Sequence, residues 1–394
     1  MTDTTVKVKD LSIGYEKKII CENMSFDIKA GELTCFMGKN GAGKSTLLKT
    51  IAGLLPSISG DVLLLDKRLK EYKRNELSKL LAVVLTQRIS VDFMTAMEIT
   101  CMGRYPHTGF MGRLNDKDRV IAQTSLEQTG AIELANRVYS TLSDGEKQKV
   151  LIARAIAQEP KILLLDEPTT HLDIKHKLEI MDLLNYLARD RNMSVILSLH
   201  ELDLAVKACQ HIIAMKDQRI IYDGAPEAMD EEDMINRLFD MSPKRFSHVT
   251  GSVELSAGKS HQHFIVACCG TGVSMYRLFA KNRIGFTTGI LYESECDYPV
   301  ASSMGAHVLA NKPYETNLDI QQEAISCIDK AQTIIDTGFP INDQTMQNKM
   351  LIVHAVEKNK TIISFRNQEE FEKQFGKAQV TYMKDTADVE KIFR

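Results

Sequence analysis

The sequence predicts an α/β protein in two unequal parts, a larger one built on a sheet with a glycine-rich loop, followed by a smaller parallel α/β domain. Three observations carry this. The stretch GKNGAGKST, Gly38 to Thr46, has the spacing G-x-x-x-x-G-K-[ST] and lies between a strand-like run, ELTCFM, and a helix-like run, STLLKTIAGLL. A second apolar run, ILLL, ends in Asp166 and Glu167. From residue 262 onward, apolar runs alternate with helical stretches and read as about five parallel strands.

Composition sets the limits. The chain has 394 residues, enough for two or three cores. Hydrophobic residues make up 44% and charged residues 26%, an ordinary globular balance, and the formal charge of -3 gives no electrostatic footprint for nucleic acid. Apolar runs such as Leu80–Leu85 and Ile162–Leu165 fall well short of the roughly 18 residues of a membrane span. The opening MTDTTVKVKD has no apolar signal core, so a cytoplasmic location is expected. The eight cysteines form no C-x-x-C pair, which indicates neither a zinc site nor a disulfide framework.

Each element of the first part carries its own chemistry. In the glycine loop, Gly38, Gly41 and Gly43 let backbone N–H groups curl around phosphate oxygens, and the following helix start adds partial positive charge. Lys44 is placed to reach the β- and γ-phosphates, and Ser45 to ligate Mg²⁺. The strand Ile162–Leu165 delivers Asp166 and Glu167 to the edge where open parallel sheets bind ligands. Asp166 is the candidate to hold Mg²⁺ through water, and Glu167 the candidate to orient or deprotonate an attacking water. The run VILSL ends at His200, which would then face the γ-phosphate or that water. The turn LSDGEKQKV, residues 142–150, opens a further helix.

Taken in order, these motifs resemble the ATP-binding subunit of ABC transporters over residues 5 to about 245. GKNGAGKST resembles Walker A, ILLLDE Walker B, LSDGEKQ the family signature, THLD the D-loop, and His200 the switch histidine. Gln87 resembles the Q-loop glutamine, a Mg²⁺ and water contact. Tyr15 matches the aromatic that stacks on adenine, although it also reads as a core tyrosine. The resemblance implies a P-loop ABC cassette, a mixed-sheet core plus a helical subdomain over about 92–140, within residues 1–247. It implies that Asn40 and Thr46 complete the ATP loop, and that ATP and Mg²⁺ are bound. It further implies a homodimer in which Ser143, Gly145 and Asp173 of one copy complete the nucleotide site of the other. One departure is Asp144, where the family has glycine. It favours the helix dipole but brings negative charge toward ATP.

GRYPHTGFMGR, Gly103 to Arg113, resembles the GR-x-PH-x-G segment of importers for ferric siderophores, haem and cobalamin, as do HLDI and HELDLA. That branch implies a transmembrane permease touching residues 90–115, a periplasmic substrate-binding protein, and a peripheral position on the cytoplasmic face of the inner membrane. A soluble, non-transport ABC ATPase is the other reading.

Residues 248–261 are polar and read as a linker, and 262–394 as an appended Rossmann-like α/β domain, possibly regulatory. Its CCGTGVS carries Gly270 and Gly272, a weak phosphate hint that reads equally as a tight turn. Glu293, Glu295 and Asp297 are either a ligand-binding rim or a solvated loop. Cys268–Cys269 is either a thiophilic or redox pair, or a buried and a half-buried thiol.

Overall fold

The computed structural model describes residues 4–15, 18–85, 91, 93–109, 112–229, 234–241, 246–247, 251–313, 315 and 317–393. Gln87 lies outside the described residues. The chain divides into two compact units, Met1–Phe239 and Asp240–Arg394, a division that falls ahead of the expected residue 247.

The first unit holds two sheets. β1 (Thr4–Tyr15), β2 (Lys18–Lys29), β4 (Ser59–Leu64) and β5 (Lys67–Arg68) form an antiparallel sheet in the order β2-β1-β4-β5. The second sheet runs β10-β9-β3-β8-β7-β6, with β3 (Leu33–Met37), β6 (Leu81–Val84), β7 (Ile162–Asp166), β8 (Ser194–Ser198), β9 (His211–Lys216) and β10 (Arg219–Gly224). It is parallel except for the hairpin partner β10. Every residue of β3, β7 and β8 is buried, so these strands read as continuous apolar runs rather than alternating ones. Phe26 of the first sheet meets Phe36 of the second edge to face, 5.8 Å apart, within one shared core.

A helical region follows β6. The helices Ala96–Cys101, Asp116–Gln128 and Asp144–Ala157 pack together. Each starts where a capping box demands: Thr95 with Glu98, Asn115 with Asp118, and Ser143 with Glu146.

The second unit opens with a small hairpin, β11 (Phe246–Ser247) with β12 (Ser252–Val253). The polar stretch expected as a linker is tied to this unit: Glu254 is buried and accepts from Arg277, and Ala257 N–H donates to Met304 O at 2.9 Å. Six parallel strands follow: β13 (His263–Val266), β14 (Thr287–Tyr292), β15 (His307–Asn311), β16 (Thr333–Asp336), β17 (Thr361–Ser364) and β18 (Val380–Tyr382). Their order is β15-β14-β13-β16-β17-β18, the doubly wound order of dinucleotide-binding sheets. Phe264 and Val266 point into one core with Leu351, while Ile265 and Ala267 point into another with Phe279, so each sheet face is covered. The fold is thus an ABC-type P-loop cassette followed by a Rossmann-like domain. The sixth strand exceeds the five expected. Among the described residues, no helix is long and apolar enough to cross a membrane.

Candidate nucleotide site

The glycine loop joins β3 to the helix Lys44–Ile51. At Gly38, φ is +153° and an added Cβ would sit 2.5 Å from Met215 O, so no side chain fits there. Gly43 is left-handed and caps the helix with no side-chain hydrogen bond. An uncapped helix start with close-packed glycines is a cradle for an anion. Asn40 lies exposed at the loop tip. Lys44 is 5% exposed, and its Nζ donates to Gly38 O at 2.7 Å and Lys39 O at 3.1 Å, spanning the loop. Burial lowers its pKa, against the pull of the nearby Glu167 and Asp166 carboxylates.

Next to the loop, Ser45 Oγ donates to Asp166 Oδ1 at 2.8 Å, and Ser198 Oγ donates to the same oxygen at 2.8 Å. A hydroxyl and a carboxylate converging at the loop suit a hard cation that takes its remaining ligands from phosphate and water. Among the described residues, no cluster of three or more His, Cys, Asp or Glu could hold a metal alone. Glu167 stands at φ +53°, its N–H donating to Ser198 Oγ at 3.0 Å. Its carboxylate accepts from Thr170 Oγ1 at 3.2 Å and pairs with His200 Nε2. The structure therefore brings Lys44, Ser45, Asp166, Glu167 and His200 to one sheet edge. Tyr15 is 48% exposed, which excludes the core reading, and its hydroxyl lies 3.5 Å from Thr46 Oγ1.

Ser198 was not singled out in the sequence. It ties Asp166 and the Glu167 backbone together from the next strand, and its only signal is its place at the end of β8. Glu201, beside His200, is a second such residue, accepting from Thr169 Oγ1 at 3.0 Å and Lys177 Nζ at 2.6 Å.

The signature turn lies on the Asp144–Ala157 helix. Ser143 Oγ accepts from Glu146 N–H, and Glu146 returns the bond to Ser143 N–H at 2.8 Å while pairing with Arg137 at 3.0 Å. These contacts, the bond to Ser143 N–H foremost, lower the Glu146 pKa. Asp144 is exposed in the helix's first turn, and Gly145 is buried. Asp173 caps the helix Ile174–Arg189 through His176 N–H at 2.9 Å.

The GRYPH stretch grips the other end of the signature helix. A Cβ on Gly103 would lie 2.0 Å from Arg154 O. Arg104 donates to Ala157 O at 2.6 Å, to Asp118 at 3.0 Å and to Glu159 at 2.7 Å, and His107 Nε2 sits 2.9 Å from Gln158 O. Tyr105 and Phe93 stay exposed.

In the second unit, the glycine turn after β13 is filled from within. Asp297, fully buried, accepts from Gly270 N–H at 2.6 Å and Gly272 N–H at 3.0 Å. Burial raises its pKa, and these backbone donors offset only part of that. The turn's donors point at a side-chain carboxylate, so the phosphate hint is answered by the tight-turn reading. The acidic trio is neither rim nor solvated loop as a whole: Glu293 is exposed, Glu295 half-buried and bonded to Cys269 N–H, and Asp297 inside. Cys268 is buried, and Cys269 is exposed rather than half-buried.

A mixed sheet with a phosphate loop, an acidic strand end and a capped signature helix defines an ATP-hydrolysing cassette. Comparison with known proteins agrees. The ABC transporter family matches residues 21–170, and the MJ0874 family matches residues 286–392. An uncharacterized ABC transporter ATP-binding protein of Methanocaldococcus jannaschii, MJ0873, is 39% identical over 288 residues, covering 73% of this chain and 99% of that protein. The iron(3+)-hydroxamate import ATP-binding protein FhuC of Bacillus subtilis is 35% identical, with 60% of this chain and 88% of that one covered. Among solved structures, a metal-chelate type ABC transporter in an inward-facing conformation matches at 28% identity and TM-score 0.54, over 60% of this chain and 90% of that one. This chain belongs to the ABC transporter ATP-binding subunits and is a homologue of siderophore and metal-chelate import ATPases.

Proposed function

We propose that this protein hydrolyses ATP to ADP and phosphate to drive import of a metal chelate, a ferric siderophore, haem or cobalamin. The observation that carries this is the convergence of Lys44, Ser45, Asp166, Glu167 and His200 at one sheet edge. The loop N–H groups of Gly41 and Gly43, with Lys44 and Thr46, hold the phosphates, and Tyr15 offers an exposed ring for adenine. Ser45 and Asp166 would hold Mg²⁺, with Gln87 assigned to it by resemblance, and the bound ion would supply charge neutralisation of the phosphates. Glu167 orients the attacking water and takes its proton, and His200 fixes the Glu167 carboxylate. Two copies close on ATP, so that Ser143, Gly145 and Asp173 of one act at the nucleotide of the other. A dimeric cassette with ADP and phosphate, 28% identical at TM-score 0.50, supports this arrangement.

The closed and open states differ in affinity for ATP, and that difference drives the cycle. Residues 90–115 pass it to a permease at the cytoplasmic face of the membrane, and a periplasmic-type binding protein delivers the chelate. The relatives named as import proteins support this branch.

Two experiments test the reading. Glu167→Gln should slow hydrolysis by roughly 10²–10⁴ while leaving ATP binding intact. Unchanged turnover removes Glu167 from the mechanism. Purification from native membranes in mild detergent should bring a polytopic permease with the chain. Recovery without one turns the reading to a soluble ABC ATPase.

A further inference from the structure

The signature helix and the helix after the D-loop begin side by side and are joined at two points. At the first, the His176 ring lies against the backbone of Gly145: a Cβ there would sit 2.9 Å from ring Cγ and Cδ2. The same ring is held by Asp173, with Nδ1 at 2.9 and 3.0 Å from the two carboxylate oxygens. At the second, farther along both helices, Lys149 Nζ donates to Glu179 Oε2 at 2.6 Å. One contact between two rods leaves them free to pivot, and two contacts spaced along both fix their relative orientation.

We propose that His176 and the Lys149–Glu179 pair are positioning residues. They present the signature turn, Ser143 and Gly145, and the D-loop Asp173 as a single rigid piece, so that both arrive together at the nucleotide of a second copy. The proposal rests on the two-copy ATP site described above. Among the described residues, no hydrogen bond or ion pair joins any of the three to the chain's own phosphate loop; their bonds run within and between the two helices and the Asp173 cap. Their effect lies in geometry, and a misplacement of about 1 Å in such a site costs up to roughly 100-fold in rate. A half-exposed ion pair contributes little to folding, so its loss should appear in turnover rather than in stability.

The test uses the full chain and three variants, Lys149→Glu, Glu179→Lys and the charge-swapped double variant, alongside His176→Ala and His176→Phe. Each single charge reversal should lower kcat about tenfold, with the affinity of a fluorescent ATP analogue and the melting temperature unchanged. The double swap should restore kcat to within about threefold, because the pair is re-formed with opposite polarity. His176→Ala should lower kcat, and His176→Phe, which keeps a ring against Gly145, should recover part of it. Single reversals at wild-type kcat, or a double swap no faster than the single variants, overturn the proposal. Glu167→Gln run in parallel separates the two layers. Slow Glu167→Gln beside fast Lys149→Glu removes the clamp alone, and fast Glu167→Gln removes the ATP-site reading and the clamp with it.

Discussion

Two strand–glycine turn–helix units sit at the carboxyl ends of parallel strands, β3 in one six-stranded sheet and β13 in the other, and they have opposite fates. In the first unit the turn from Gly38 to Ser45 is spanned by a lysine, and its helix start has no side-chain cap. In the second, the turn from Cys268 to Gly272 has the N–H groups of Gly270 and Gly272 claimed by Asp297 and that of Cys269 by Glu295. A cation across a glycine turn leaves the donors for a phosphate, whereas a buried carboxylate replaces the phosphate. Glycine spacing alone therefore does not make an anion site, and the charge of the side chain that reaches the turn decides.

The largest expected effect tests that contrast directly. Lys44→Ala should cut hydrolysis by about 10²–10³, and calorimetry on the full chain should then find no ATP site anywhere. Residual stoichiometric binding in that variant would place a nucleotide in the second unit and break the comparison. Asp297→Ala, by contrast, should leave ATP binding to the cassette unchanged.

The two units also repeat one buried device. Arg104 reaches Asp118, Glu159 and the Ala157 carbonyl, and Arg366 reaches Asp336, Glu370 and the Phe339 carbonyl. Removing one partner of a buried pair leaves an uncompensated charge, worth about 3–5 kcal/mol. Arg104→Met and Arg366→Met should each lose about that much, in different parts of the chain. Hydrogen exchange resolved by peptide should show the loss confined to residues 1–239 in one case and 240–394 in the other. A shared loss would mean that the units do not unfold separately.

How much of this was legible in the sequence follows from how local each cause is. The Walker loop, the acidic strand end and His200 were legible because a contiguous stretch dictates both the backbone and the side chains presented. The fold class was legible for the same reason, from buried runs and helix starts. Ser198 and Glu201 were in plain view beside His200, but their partners come from neighbouring elements. Asp297 was read as part of an acidic trio, because nothing local says that one of three carboxylates turns inward to a glycine loop on another strand. GRYPH was legible as a branch motif, but its packing was not: Gly103 and Arg104 are buried against the signature helix, and only Tyr105 of that pentapeptide is a large exposed apolar side chain. The sixth strand, Val380–Tyr382, has two half-buried residues around an exposed Thr381 and too short an apolar signal to declare itself.

A smaller effect sharpens the role of Asp297. Asp297→Asn keeps one acceptor oxygen and turns the other position into a donor facing backbone N–H groups. One orphaned buried donor costs about 1–3 kcal/mol. The loss should appear as a lower unfolding midpoint of residues 240–394 in denaturant, with ATP turnover unchanged. An unaltered midpoint would mean that the turn does not need its internal anion.

The smallest effect is a difference in sign. In the cassette, the Asp118 carboxyl is held below its usual range, first by the Asn115 N–H and then by Arg104, and Glu146 and Glu179 are lowered by their own donors. Such groups add stability above the ordinary carboxylate pKa near 4, and that stability is lost as pH falls through their lowered values. In the second unit, burial raises Asp297, Glu295 and Asp336, while Asp329 and Asp388, in exposed pairs of little weight, are lowered by His354 and Lys391. Between the ordinary value and the raised ones, the folded form holds more protons than the unfolded form, so stability falls as pH rises through that window and levels off above it. Acidifying the full chain from neutral toward about pH 4 should therefore hold or raise the melting of residues 240–394, followed by peptide-resolved exchange. Below that pH, the cassette should weaken. Asp297→Asn should flatten part of the second unit's acid gain. A second unit that weakens on acidification as the cassette does would mean that its lowered surface carboxylates, Asp329 and Asp388, outweigh its raised buried ones.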